Sequence, residues 1–146
     1  ASAFDGIYAF TDWSVFTKLI ISGDRFAYIV GEDINSENVF VASGTISQGP
    51  GITLPVGATS VAITTKSKIY QPRSADGAAN LNAANTCGFT DYTNGVVKNL
   101  LSSGDCTTSP THAIFKLTGG AMQFSFSNLP LPTMFSGPTL YAPWVY

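Results

Sequence analysis

The chain has 146 residues, 45% apolar but only 11% charged, with a formal net charge of −2. So many apolar and so few charged side chains exclude disorder, and seven basic residues cannot neutralise a phosphate track, which excludes nucleic-acid binding. No apolar run approaches 18 residues, so no helical membrane span is expected.

The predicted elements follow from alternation of apolar and polar residues, with helical spacing nearly absent. Residues 5–10 read as a first strand. Residues 13–21 and 25–30 read as two strands joined at Ser22-Gly23-Asp24, where glycine supplies the positive φ of a hairpin. On the first of these Phe16, Lys18 and Ile20 share a face; Arg25 opens the second, ahead of Phe26 and Tyr28. Residues 39–46 form a further strand. The clearest alternation is 60–70, which predicts Val61, Ile63, Thr65, Ser67 and Ile69 on one face and Ser60, Thr64, Lys66 and Lys68 on the other.

Residues 71–85 are small and polar and read as a long surface loop. Residues 94–103 carry Val96, Val97, Leu100 and Leu101 at helical spacing with Gly104 after them, which predicts one short helix. Cys87 and Cys106 flank that segment. Two cysteines and a single histidine are too few for a protein-only zinc site, so the pair is expected as a disulfide closing a loop of about 20 residues, a constraint of roughly 3 kcal/mol. Beyond it, residues 112–117 and 122–127 read as a hairpin about Thr118-Gly119-Gly120-Ala121, and 139–146 as a last strand. The expected fold is all-β: a single domain over residues 1–146, an antiparallel barrel or sandwich of about eight strands, with one short helix in a disulfide-closed loop.

Catalytic chemistry finds little support in these residues. His112 is the only histidine and no Gly-x-Ser-x-Gly elbow presents a nucleophile. Gly49-Pro50-Gly51 lacks the lysine and helix of a phosphate loop, and the nine acids are too scattered for a metal site. The chain is therefore expected to be a non-enzymatic binding protein that needs no catalytic residue, metal or cofactor.

A closed sheet of about eight strands is just wide enough to hold one small ligand, and such pockets are mostly apolar with a few placed polar groups. The expected ligand-binding residues are Phe16, Lys18, Arg25, Phe26, Tyr28, Phe115, Met122, Phe124 and Phe126, with Lys18 or Arg25 meeting a ligand carboxylate at the mouth. The ligand expected is an elongated hydrophobic small molecule: a fatty acid, carotenoid or polyene pigment. Gly6-Ile7-Tyr8 resembles the Gly-x-Trp entry of lipocalins and related calycin barrels, with Tyr8 where that motif has tryptophan. The resemblance covers those three residues and the strand count, and implies a barrel that carries fatty acids, retinoids or pigments.

A second reading is a lectin-like sugar-binding domain, with Trp13, Tyr92 beside Asp91 and Asn94, and Trp144 as stacking and polar groups. A third is a secreted structural or defence protein without a small ligand. The disulfide and the low charge lean toward a secreted protein. The apolar stretch around Met134, Phe135 and Trp144, interrupted by prolines, is expected to form a homodimer interface or to close the pocket as a lid.

Overall fold

The computed structural model describes residues 5–11, 16–31, 38–48, 59–119, 121–127 and 140–141. Its strands are β1 (Gly6–Thr11), β2 (Phe16–Ser22), β3 (Arg25–Gly31), β4 (Asn38–Gln48), β5 (Thr59–Pro72), β6 (Lys98–Asn99), β7 (His112–Thr118), β8 (Ala121–Ser127) and β9 (Leu140–Tyr141). One α-helix, α1 (Ala75–Ala83), and a 3-10 turn, Thr86–Gly88, lie between β5 and β6.

Each main strand pairs antiparallel with the next along the chain, in the ring β1–β2–β3–β4–β5–β7–β8–β9, and β9 pairs back to β1. An all-antiparallel ring closes only with an even number of strands, and this one has eight. The last seam is short, a single pair Ala9↔Tyr141, so the barrel is nearly closed. The β2–β3 and β7–β8 hairpins turn where expected, with Gly23 and Gly119 both at positive φ.

The pleat decides which side chains enter the barrel. Tyr8, Leu19, Ile21, Phe26, Val61, Ile63, Ala113, Phe115, Met122 and Phe124 form one buried cluster, with Tyr28, Ile46, Leu117 and Phe126 packed on it. Its aromatic rings meet edge to face: Tyr28 lies 5.4 Å from Phe126, and Phe124 lies 5.3 Å from Phe126. Such pairs add about 0.5–1.5 kcal/mol beyond the area they bury.

One irregularity controls everything downstream on β5. Between Ser43 and Gly44 the β4–β5 register shifts: Gly44 pairs with Thr65 but Ser43 pairs with Ser67, so Lys66 is the extra residue of a β-bulge. The bulge requires glycine at position 44. A Cβ there would sit 1.9 Å from the Thr64 carbonyl oxygen. Past the bulge the faces exchange, so Lys68 pairs with Ala42 and Tyr70 with Phe40 on the inner side, whereas Ile69 pairs with Val41 on the outer side. The expected alternation over 60–70 therefore holds as far as Thr65 and is inverted after it.

The excursion between β5 and β7 also departs from expectation. Residues 71–85 are not a loop throughout: α1 occupies Ala75–Ala83, capped by the Ser74 side chain, which accepts a hydrogen bond from Gly77 N at 2.8 Å. Ala78 and Leu81 bury against Tyr92, with Tyr70 and Phe89 beside them, as a second small core. A nine-residue helix is marginal alone, and this packing sustains it. Residues 94–103, read as a helix, instead make a turn at Asn94-Gly95 and the two-residue strand β6, which pairs with Ile69 and Tyr70. Val96 and Val97 are left 56% and 51% exposed, so the helical spacing is not used. The fold's one α-helix among the described residues thus directly precedes the disulfide-closed segment rather than lying within it.

Cys87 and Cys106 form the expected disulfide. Gly104, at φ +85°, allows the chain to turn back to it; a Cβ there would approach the Phe89 ring to 2.5 Å. Trp13, Met134, Phe135 and Trp144 lie outside the described residues, as does nearly all of the last predicted strand.

Candidate functional site

Between β3, β4, β5 and β8 the side chains of the described residues do not fill the barrel interior. A cavity of about 220 Å³ remains, lined by Phe26, Tyr28, Phe40, Ala42, Ile63, Thr65, Lys68, Phe126 and, from the segment before β7, Ser109 and Pro110. Its walls are largely apolar because the inner positions of β3 and β4 are Phe26, Tyr28, Phe40 and Ala42, and Ala42 is too small to reach across.

Four polar groups reach the cavity: Tyr28, Thr65, Lys68 and Ser109. Lys68 Nζ donates to the carbonyl oxygens of Cys106 at 2.8 Å and Thr108 at 3.0 Å. It thereby ties the barrel wall to the segment that the disulfide holds. Burial pushes the Lys68 ammonium below the ordinary lysine value, because desolvation penalises the charged form. Burial also raises the Tyr28 phenol above its usual value, so both groups favour their neutral forms more than they would in water. The Ser109 hydroxyl oxygen is buried with no hydrogen-bond partner among the described residues.

Of the residues expected to bind ligand, Phe26, Tyr28 and Phe126 line this cavity. Phe115, Met122 and Phe124 belong to the packed core beside it; each is at most 2% exposed. Phe16 and Lys18 are not brought to it. Strand β2 turns Thr17, Leu19 and Ile21 inward, so Phe16 and Lys18 stand on the outer face, where the Phe16 ring covers Gly31 of β3. Arg25 stays at the β2–β3 hairpin and borders a second, more open hollow with Phe26, Ser43, Gly44, Thr45 and Lys66, where it does not line the cavity. The cation inside the barrel is Lys68. The bulge at Lys66 hid it, since strict alternation assigns Lys68 to the polar face.

The sequence matches no protein-family model and no characterised protein. The geometry alone therefore bears on function.

The groups considered for sugar stacking are arranged differently. Tyr92 is 4% exposed, with its ring 6.3 Å from those of Phe89 and Tyr70 and its hydroxyl donating to Thr86 O at 2.8 Å. Asp91 pairs with Lys98 at 2.7 Å, and the Lys98 ammonium lies 4.7 Å from the Phe89 ring centre. The hydrogen bond from Lys98 holds the Asp91 carboxyl below its usual range. This cluster anchors the α1 excursion, and Tyr92 presents no free ring face. His112 accepts or donates one short contact, 3.0 Å to the adjacent Thr111 hydroxyl. Among the described residues no group of three or more His, Cys, Asp and Glu side chains could hold a metal ion, and no helix is long and apolar enough to cross a membrane.

Proposed function

We propose that the protein is a non-enzymatic binding protein that holds an apolar small molecule in the barrel cavity and needs no cofactor to do so. The observation that carries this reading is the cavity itself: interiors normally pack to crystal-like density, yet here about 220 Å³ is left open between aromatic walls. Its lining is almost wholly apolar, with Lys68 as the charged residue at its border, and ligand sites are mostly apolar with few polar groups. A dry cavity of about 150 Å³ takes up benzene, so this volume suits roughly nine or ten non-hydrogen atoms. Of the ligand classes expected, a short fatty-acyl chain suits that volume and a carotenoid exceeds it. The Cys87–Cys106 disulfide supports an oxidising, extracellular setting. A homodimer through Met134, Phe135 and Trp144 remains part of the proposal, to be tested by sedimentation of the full chain.

A titration with 1-alkanols of rising length tests the reading. Each added methylene buries about 0.8 kcal/mol of apolar surface, so affinity should rise roughly fourfold per carbon. The rise should stop near 1-octanol, when the cavity is full. No saturable binding of any member would return the protein to the structural or defence class. Buried Tyr92 removes the main argument for a lectin, and a glycan array is expected to be blank.

A further inference from the structure

We infer that the cavity is built for a small apolar monocarboxylic acid, its carboxylate received by the Lys68 ammonium. This rests on the cavity-binding reading above and names the class of ligand within it.

Among the described residues Lys68 is the only cation that lines the cavity. A lysine has three N–H donors, and two are used, on Cys106 O and Thr108 O. Those two carbonyls are neutral, so they fix the ammonium in place without cancelling its charge. Among the described residues no Asp or Glu lines the cavity, and the one ion pair, Lys98–Asp91, belongs to the α1 excursion. Lys68 is half-buried, so an anionic ligand in the cavity would meet an ammonium that is held in place and that no described acid neutralises.

The third N–H of the Lys68 ammonium is the donor left for a ligand, and a charge-assisted bond from it to a carboxylate oxygen is of the strong kind. Opposite it the walls offer Phe26, Phe40, Ile63 and Phe126 to a hydrocarbon body. The occupant is therefore amphiphilic, with one singly charged acidic end and a short apolar remainder. With room for about ten non-hydrogen atoms, octanoic acid is the matching probe.

Calorimetric titration of the full chain with octanoate and, separately, 1-octanol at neutral pH is the test. Octanoate is expected to bind at least tenfold more tightly than 1-octanol. In Lys68→Met that preference should vanish while 1-octanol binds within about threefold of its original affinity. Lys18→Met and Arg25→Met, which alter cations outside the cavity, should leave octanoate binding unchanged. The comparison in the unsubstituted protein needs no variant to fold. If it binds both compounds equally, the acid inference is overturned and the cavity reading survives. If it binds neither, both fall. A Lys18→Met or Arg25→Met loss as large as that of Lys68→Met would also overturn the assignment.

Discussion

Replacing Gly44 by alanine probes the feature on which the site depends. The added Cβ would lie 1.9 Å from the Thr64 carbonyl oxygen and 2.9 Å from Lys66 N, whereas ordinary contact begins at 3.4 Å. The obstacle is backbone, so relief requires the carbonyl to retreat by the difference, 1.5 Å, within the β4–β5 ladder. Overpacking a well-filled site costs about 1–3 kcal/mol, and one or two weakened ladder bonds add about 1 kcal/mol each. The expected loss is about 2–5 kcal/mol, a large share of a typical total of about 5–15 kcal/mol. For a chain of this size it corresponds to a fall in Tm of about 4–20 °C. Urea unfolding followed by circular dichroism, with scanning calorimetry alongside, measures both. Gly23→Ala is the control: its Cβ meets nothing within 4 Å, so only the positive φ is penalised, at about 1–2 kcal/mol. A Gly44→Ala loss under about 1 kcal/mol would refute the bulge, and with it the inward direction of Lys68.

Three further outcomes follow from the same geometry. Ala42→Leu should fill part of the cavity, raising stability by about 0.5–2 kcal/mol while abolishing octanol binding; destabilisation on urea unfolding would mean the space beside Ala42 is already packed. The double change Cys87→Ala with Cys106→Ala should cost roughly 3 kcal/mol by loop entropy and also weaken octanoate binding, because Cys106 O and Thr108 O anchor Lys68. Tyr8, Tyr28 and Tyr92 all have phenols raised by burial, so the folded state holds their protons longer than the unfolded chain does. Their contribution is complete below about pH 10 and lost as pH rises past it, against the opposing effect of the lowered Lys68. Alkaline unfolding should therefore coincide with the phenolate absorbance of three of the six tyrosines, and more than three phenolates appearing while the fold stays intact would contradict the burial of these rings.

Much of the barrel was legible in the sequence because one side of each strand faces the core. Val61 and Ile63 alternate with Ser60, Ala62 and Thr64, Met122 and Phe124 alternate with Gln123 and Ser125, and Ser22-Gly23-Asp24 and Gly119 mark the turns. The disulfide was legible by elimination. What alternation cannot reveal is a bulge: one extra residue, Lys66, turns Lys68 from an apparent surface charge into the cavity's cation. Gly44 directly opposite was the available signal, since glycine inside a strand marks close backbone approach. Nor does periodicity tell which of two strand faces is inward when both carry apolar residues. Phe16 and Ile20 on one side of β2 look as suitable for a core as Leu19 and Ile21 on the other. The helix went unread because its segment is small and polar, and packing on Tyr92, remote from the segment's own pattern, sustains it. Ser74 with Asp76 in the first turn was its start signal.

Isotope-filtered nuclear Overhauser spectroscopy on the protein saturated with 1-octanol tests the central claim most directly. Contacts from the alkyl chain to the Phe40 and Phe126 rings and the Ile63 methyls are predicted, together with none to Phe16 or Ile20 on the outer face of β2. A bound chain whose contacts fall on Phe16, Ile20 and the outer face, with none to Phe40, Ile63 or Phe126, would contradict the account.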